Sequence, residues 1–332
     1  MTDIDMIRAA ARRLDGFARR TPLLSSPFLD RIAGRRVLIK PECLQHTGSF
    51  KYRGGRSAVS ALDAATRAKG VLAYSSGNHA QGVALAAREY DIPSVIIMPM
   101  DAPQLKIANT RDLGAEVVLY DRAGGESREA LGAALQAERG LTLIKPFDEP
   151  QVIAGQGTCG LEIAKDAAAM GIARAEVLVC CGGGGLTSGV ALACEADAPG
   201  LTVRPVEPQG FDDVARSLTT GRIQRNAEVS GNLCDAILTP EPGQMTFPIM
   251  QRLCGPGLAV SEEECLTAMG LAFQRLKLVA EPGGAAALAA ALFHGDQITG
   301  DTVICTISGG NVDAGIFARA LATLLPPESP PR

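Results

Sequence analysis

Four consecutive glycines constrain the fold of this chain more than any other feature. They directly follow the apolar run 176–181, which predicts a short buried strand, and they are Gly182, Gly183, Gly184 and Gly185. The residues from Leu186 onwards predict the first turns of a helix. A strand that breaks into glycines and opens a helix presents backbone N–H groups to an anion. The expected ligand is a phosphate group; the alternative is a flexible glycine turn that binds nothing.

The composition excludes several classes of protein. The 332 residues, 46% of them hydrophobic, are enough for two domains with a sizeable core. A net charge of -4 and the lack of basic runs interleaved with aromatics predict no nucleic-acid partner. We expect no membrane span and no signal peptide, because no apolar run reaches about 18 residues and the N-terminus has no basic region before an apolar stretch. Nine cysteines without a CxxC pair favour a reducing cytoplasm.

Short β-branched runs alternate with alanine-rich helical segments along nearly the whole chain. Segments 55–68 and 80–90 have apolar residues at helical spacing. This alternation predicts an α/β fold with mostly parallel sheets and helices on both faces. The predicted strands are 36–40, 70–74, 94–98, 116–120, 141–145, 176–181, 201–207 and 302–307.

The order of the strands favours two domains. Residues 1–69 and 149–325 form the predicted large domain, and residues 70–148 form the predicted small domain. Residues 326–332 are predicted to be a flexible tail, since prolines end the preceding helical pattern.

Lys51 follows Phe50 in a segment rich in serine and glycine. A lysine beside aromatic rings is a candidate for Schiff-base chemistry, because partial burial lowers its pKa and leaves a nucleophilic amine. The alternative is an ordinary solvated lysine at the start of a helix.

Two further loops follow predicted strands. Segment 75–79 supplies hydroxyls and an amide, which suit either a bound carboxylate or the capping of a helix. Segment 308–311 either presents a hydroxyl to a ligand or is one more strand-to-helix turn. Each motif alone is weak, whereas the three loops and the lysine motif in this order are far more specific.

With these motifs in order, the chain resembles the fold type II pyridoxal-phosphate enzymes, in the serine/threonine dehydratase and serine racemase branch. The resemblance extends from segment 20–23 to segment 308–311. It implies that Lys51 binds pyridoxal 5'-phosphate as a Schiff base, that Phe50 packs beside its ring and that Asn78 bonds its phenolic oxygen. Gly182 to Leu186 would bind the phosphate, and Ser308 would face the pyridine nitrogen.

The resemblance also implies a reaction. A serine hydroxyl does not keep the pyridine nitrogen protonated, so the ring is a weaker electron sink and prompt loss of a β-leaving group is favoured. This implies an ammonia-lyase that converts a 3-hydroxy amino acid such as L-threonine or L-serine to a 2-oxo acid, with Lys51 removing the α-proton. Because the sequence ends at residue 332, soon after segment 308–311, we expect no C-terminal regulatory domain. This favours a catabolic or racemase-like enzyme.

Further site residues come from the same resemblance. The substrate carboxylate would lie against the loop formed by Ser75, Ser76, Asn78 and His79. Ser76 resembles the acid/base residue of racemase-like members, so racemase side activity is a further expectation. Arg128 resembles a substrate-side arginine, although a solvated arginine on a helix explains it equally well. Glu281 matches a family carboxylate near the cofactor.

A divalent cation such as Mg²⁺ is also implied. Glu207 and Asp213 would supply carboxylates and Phe211 a backbone carbonyl, and these hard oxygen donors suit such an ion. The alternative is an acidic surface loop.

Several rival interpretations remain open. A 3-hydroxyaspartate dehydratase needs a cation for the second substrate carboxylate, and His46 and Arg53 are only guesses for it. A β-replacement enzyme similar to cysteine synthase and a non-catalytic ligand-binding protein are the others. The family also implies a homodimer that acts on a small amino acid.

Overall fold

The computed structural model describes residues 2–75, 77–102, 104–121, 124–228 and 230–325. Ser76 and the predicted tail 326–332 therefore lie outside the described residues. The described helices are α1 (Ile4–Leu14), α2 (Pro27–Ala33), α3 (Lys51–Ala61), α4 (Ala64–Ala68), α5 (Asn78–Glu89), α6 (Gln104–Asp112), α7 (Arg128–Arg139), α8 (Pro150–Ala169), α9 (Gly185–Asp197), α10 (Asp213–Thr220), α11 (Thr246–Leu253), α12 (Glu262–Leu276), α13 (Pro282–Phe293) and α14 (Ala314–Ala322).

The larger sheet has six strands in the order β1-β2-β10-β7-β8-β9. Its strands are parallel except for β1, which pairs antiparallel with β2. The strands of this sheet are β1 (Leu24–Ser25), β2 (Arg36–Pro41), β7 (Ala175–Cys180), β8 (Leu201–Pro208), β9 (Leu258–Val260) and β10 (Thr302–Ile307).

The smaller sheet has four parallel strands in the order β5-β4-β3-β6. The strands are β3 (Val71–Tyr74), β4 (Ser94–Pro99), β5 (Glu116–Tyr120) and β6 (Thr142–Leu143). The α/β class and the mostly parallel sheets are confirmed. The predicted strand 141–145 is shorter than expected, and β1 and β9 were missed because they are too short to show a period.

Strand β7 shows why helices cover both faces of the larger sheet. Val177 and Val179 point into a core that includes residues of α8 and α9. Leu178 and Cys180 point into a second core, with α12 and α13 on the opposite face. Since successive side chains of a strand alternate between faces, a strand with helices on both sides reads as one continuous apolar run.

Helix α3 differs from the sequence expectation in its bounds. The segment 55–68 is divided between α3, which begins at Lys51, and the short α4. Asp63 explains the break, because its side chain accepts a hydrogen bond from the Thr66 N–H and so caps a new helix. No helix among the described ranges is long and apolar enough to cross a membrane.

Three loops at the carboxyl ends of parallel strands determine where a ligand can bind. The glycine loop follows β7, Ser308 follows β10, and the segment before α5 follows β3. Crevices outside the carboxyl ends of parallel strands are the usual ligand sites of α/β proteins.

Candidate active site

Two adjoining cavities share several of the residues that line them. The larger has a volume of about 530 Å³ and is lined by residues that follow β3, by residues 235–244 and by Glu281. The smaller has a volume of about 50 Å³ and is lined by the glycine loop. Lys51 and Phe147 line both cavities, so the Lys51 amine stands where the two meet.

Lys51 is the first residue of α3 and is only partly exposed. Its Nζ donates a 2.9 Å hydrogen bond to the Pro146 carbonyl oxygen and lies 5.1 Å from the centre of the Phe50 ring. Burial lowers the pKa of Lys51 to about 8, and the nearby Glu281, in its ionised form, only partly opposes this. Lys51 is thus not the solvated lysine of the alternative interpretation, and a nucleophilic amine is accessible near neutral pH.

The glycine loop has no room for side chains. A Cβ on Gly183 would lie 2.3 Å from the Phe147 ring, and one on Gly185 would lie 2.6 Å from Gln156 Oε1. Gly184 has φ 89° and is the N-cap of α9. The first residues of α9 line the small cavity, and the N–H groups of a first helical turn have no partner within the helix, so they are available there as anion-binding donors.

Buried polar atoms around the small cavity also favour a polar ligand. Within the described part of the chain, Gln156 Nε2 and Oε1 and Thr187 Oγ1 are buried and have no hydrogen-bond partner. Both residues line the small cavity. Since a buried donor without a partner is costly, a bound phosphate that accepts from Gln156 Nε2 and Thr187 Oγ1 would remove this cost. The donors, the glycine loop and Lys51 therefore fit the phosphate and the aldehyde of pyridoxal phosphate.

Asn78 lies in a chain of polar contacts at the edge of the larger cavity. Its Nδ2 donates to Glu281 Oε1 at 2.7 Å, and its Oδ1 accepts from Asn311 Nδ2 at 2.7 Å. Burial raises the pKa of Glu281 to about 8, although the bond from Asn78 lowers it. Glu281 therefore holds a proton at neutral pH.

Ser308 is hydrogen-bonded through its backbone to Phe50, the residue before Lys51. The Phe50 N–H donates to its carbonyl oxygen at 3.1 Å, and the Ser308 N–H donates to the Gly284 carbonyl oxygen at 3.2 Å. Ser308 is almost fully buried. These backbone bonds tie the end of β10 to α3 and α13, next to the glycine loop.

The predicted carboxylate loop lies at the start of α5. Ser75 Oγ accepts a hydrogen bond from the Gly77 N–H at 3.2 Å, and both residues line the larger cavity. His79 is buried with Nε2 2.8 Å from the Ile144 carbonyl oxygen. Burial and the neighbouring Lys51 lower its pKa to about 3, so the ring is neutral. Arg128 also lines the larger cavity, but it is half exposed and paired with Glu129.

The predicted cation ligands lie apart from both cavities, at the end of β8. Glu207 accepts hydrogen bonds from the Val214 and Ala215 N–H groups at 2.9 and 2.8 Å, so it caps α10. Asp213 Oδ1 accepts from Asn226, whereas its buried Oδ2 has no partner in the described part of the chain. Burial raises the pKa of Asp213 to about 7 and that of Glu207 well above its usual range.

This arrangement fits a divalent cation only in part. The oxygen donors suit one, and Asp213 Oδ2 is free to bind it, but both Glu207 oxygens already accept N–H bonds. Among the residues that the structure describes, no group of three or more His, Cys, Asp or Glu could hold a metal ion.

The two guesses for a second carboxylate-binding cation are wrong in position. Arg53 is a buried residue of α3, and its guanidinium donates to Glu42 at 2.7 and 2.9 Å and to Glu162. His46 contacts the Phe17 carbonyl oxygen and the Tyr52 ring. Neither residue is among those that line the two cavities.

Sequence reasoning missed several residues of the cavities. Phe147, Gln156, Lys106 and Asp235 lie outside the motifs, and only the fold brings them to the site. Phe147 closely follows β6, and that position after a strand was the one available signal.

Comparison with known proteins identifies the family. Residues 14–309 match the family described as pyridoxal-phosphate dependent enzyme. The chain is 44% identical to an L-threo-3-hydroxyaspartate ammonia-lyase from Pseudomonas sp, over 96% of this chain and 97% of that protein. It is 40% identical to an L-threonine ammonia-lyase from Thermotoga maritima, over 97% of this chain and 78% of that protein.

A solved structure agrees. The serine racemase of Dictyostelium discoideum superimposes with a TM-score of 0.87 and 36% identity, over 94% of this chain and 99% of that chain. The family match extends over the glycine loop and Lys51. The chain therefore belongs to the pyridoxal-phosphate-dependent enzyme family.

Proposed function

We propose that this chain is a pyridoxal-phosphate-dependent ammonia-lyase that converts a 3-hydroxy amino acid, such as L-threonine or L-serine, to a 2-oxo acid and ammonia. The observation that carries the proposal is the Lys51 amine, whose pKa is lowered to about 8 where the glycine cradle meets the larger cavity. Two ammonia-lyases among its relatives, at 44% and 40% identity, support it.

The cofactor contacts follow from the same geometry. The phosphate would be held by the glycine loop, by Leu186 and by Gln156, and the ring would lie between Phe50 and the Asn78 amide. Bound pyridoxal phosphate supplies an electron sink for the bonds at the α-carbon of the amino acid. The buried Ser308 hydroxyl is a neutral partner for the ring nitrogen, which favours elimination over a long-lived carbanion.

Different residues of this chain bind the substrate and transfer the proton. The N-terminus of α5 and Ser75 bind the substrate carboxylate and fix the orientation of the α-carbon. Lys51 Nζ takes the α-proton, and a proton equivalent to it is returned to the departing β-hydroxyl, which leaves as water. The resulting enamine adds one water and releases ammonia, so the net products are a 2-oxo acid and ammonia. Ser76, as an acid/base on the other face for racemisation, stays a prediction.

A 3-hydroxyaspartate substrate is the second candidate. The 44% identical relative is an L-threo-3-hydroxyaspartate ammonia-lyase. A cation in the larger cavity, Lys106, also offers a partner for a second carboxylate.

A product assay tests the proposal. Cofactor-loaded protein would be incubated with L-serine, L-threonine and each 3-hydroxyaspartate stereoisomer, with Lys51→Ala as the control. Formation of 2-oxo acid and ammonia in equal amounts, abolished in Lys51→Ala, is the expected result. No turnover of any of these substrates would overturn the proposal.

We also propose a divalent cation between Glu207, Asp213 and the Phe211 carbonyl, and a homodimer in a reducing cytoplasm. The unpaired Asp213 Oδ2 supports the cation.

Exposed Phe28 and Ile32 on α2 support self-association, and the free cysteines among the described residues support the compartment. Light scattering after size-exclusion chromatography tests the dimer, and cell fractionation tests the compartment.

A further inference from the structure

The larger cavity contains two cations that the proposed mechanism does not use. The cations that line this cavity are Lys51, Lys106 and Arg128. Lys51 carries the chemistry, and Arg128 is half exposed with its guanidinium on Glu129. Lys106, on α6, is the more enclosed of the remaining two, with 24% of its side chain exposed.

Lys106 is paired with an acid from the other half of the molecule. Its Nζ lies 3.1 Å from Asp235 Oδ2, and the Asp235 side chain is 63% exposed. Asp235 begins the short 3-10 helix Asp235–Ile237, and Ile237 backs the glycine loop, since its carbonyl oxygen lies 3.0 Å from where a Gly182 Cβ would stand. The ion pair thus crosses the cavity from α6 to the segment beside the glycine loop.

The pair acts electrostatically on Glu281, which lines the same cavity. The charges of Asp235 and Lys106 shift the pKa of Glu281 in opposite directions, after the larger effects of burial and of Asn78. An exposed ion pair contributes little to stability, because water screens it and holding two flexible side chains costs entropy. The Asp235 carboxylate is therefore easily displaced from its contact with the Lys106 ammonium.

We propose that Lys106 is the specificity-determining residue that binds the side-chain carboxylate of a dicarboxylic substrate, with Asp235 as the internal carboxylate that the substrate displaces. The inference rests on the proposed ammonia-lyase function and names its substrate class, a 3-hydroxyaspartate. Water screens a substrate carboxylate enclosed in the cavity less than it screens exposed Asp235, so the charge-assisted bond of the substrate to Lys106 is the stronger one. A substrate with a methyl or hydrogen in place of that carboxylate gains nothing from Lys106.

The kinetic test compares substrates across matched variants of the holoenzyme. Lys106→Met is expected to lower kcat/KM for L-threo-3-hydroxyaspartate about tenfold to a hundredfold, mainly through KM, and to change kcat/KM for L-serine less than about threefold. Lys106→Arg should restore part of the loss. Asp235→Asn should lower KM for hydroxyaspartate, because the competing carboxylate is gone. Lys165→Met, on the exposed side of α8, is the control expected to match the wild type.

A binding measurement separates this inference from the proposed function. L-Malate and L-lactate differ in the second carboxylate and carry no amino group, so neither can react. Calorimetry on the holoenzyme should show that Lys106→Met weakens malate binding about tenfold and leaves lactate binding unchanged. Equal effects on both acids, or a selectivity that is lost in Arg128→Met instead, would overturn the role of Lys106. Wild-type protein that turns over no 3-hydroxy amino acid would overturn the proposed function, and the malate result would still decide the role of Lys106.

Discussion

Asn78 Nδ2 donates a 2.7 Å hydrogen bond to Glu281 Oε1, and this contact joins the start of α5 to the start of α13. It links the two sheets across the edge of the larger cavity. Because Glu281 is almost fully buried, the contact keeps a carboxyl group where solvent cannot stabilise its charge. The consequence is a protonated acid beside the Lys51 amine at neutral pH.

Glu281 makes the stability of the cofactor-free protein depend on pH. Its pKa is about 8 in the folded protein against 4.5 for an ordinary glutamate, so between these values the folded state binds a proton that the unfolded state lacks. Stability must then fall as pH rises through that window. Glu281→Gln imitates the protonated acid. Its free energy of unfolding should exceed that of the wild type by up to roughly 4 kcal/mol at pH 9, and by little at pH 5. Urea unfolding at both pH values measures the difference. If the wild type and the variant differ in free energy of unfolding by the same amount at pH 5 and pH 9, the pKa of Glu281 is not raised.

Lys51 should react as an unusually acidic amine. Because burial lowers its pKa to about 8 from 10.5, half of the amines are neutral at about pH 8. The rate at which trinitrobenzenesulfonate labels Lys51 in the cofactor-free protein should therefore rise with a midpoint near pH 8. Peptide mapping identifies the labelled residue, and N-acetyl-lysine methylamide, with a midpoint near pH 10.4, is the reference. A Lys51 midpoint at the reference value would show that the amine is solvated.

The glycine loop can be tested with a matched pair of substitutions. Gly184 and Gly171 both have positive φ, 89° and 71°. A Cβ on Gly184 would lie 2.4 Å from Met250 Cε, whereas nothing lies within 4 Å of one on Gly171. Gly171→Ala should lose about 1–2 kcal/mol from the backbone alone. Gly184→Ala should lose more, and its cofactor affinity should fall at least about tenfold, because the cradle must move to fit the methyl group. Equal cofactor affinity in the two variants would argue against phosphate binding at this loop.

The sequence alone predicted the chemistry of the site better than its shape. Gly182 to Gly185 follow a strand, and Lys51 and Asn78 begin helices in distinctive motifs, so local patterns locate them and the parallel sheets bring them together. Lys106 and Asp235 are 129 positions apart, and no local pattern connects two surface charges at that separation. Arg53 shows the opposite failure, because a charged residue beside Lys51 was a guess for a substrate contact yet belongs to the core.

The proposed cation site predicts a metal-dependent gain in stability. Mg²⁺ bound by Glu207 and Asp213 would replace the protons that burial holds there. Saturating Mg²⁺ should then raise Tm by a few degrees, since a ligand that binds only the folded state stabilises it. Asp213→Asn should remove the gain, and Asp212→Asn, on the neighbouring half-buried acid, should keep it. A rise in Tm of the same size in Asp213→Asn would place the cation elsewhere.

Arg53 should matter far more for stability than other paired arginines. Arg53 and Glu42 are 1% and 0% exposed, and the guanidinium lies 2.7 Å from the carboxylate. The Arg8 and Asp197 side chains, 2.8 Å apart, are 49% and 36% exposed. Removing one partner of a buried pair leaves an uncompensated charge, so Arg53→Met should lose about 3–5 kcal/mol. Arg8→Met should lose less than about 1 kcal/mol, because water already screens that pair. Urea unfolding of both variants measures the contrast. Since α3 carries Lys51 at its first turn, the loss in Arg53→Met should also weaken cofactor binding, and similar losses in the two variants would show that the Arg53 pair is not a support of α3.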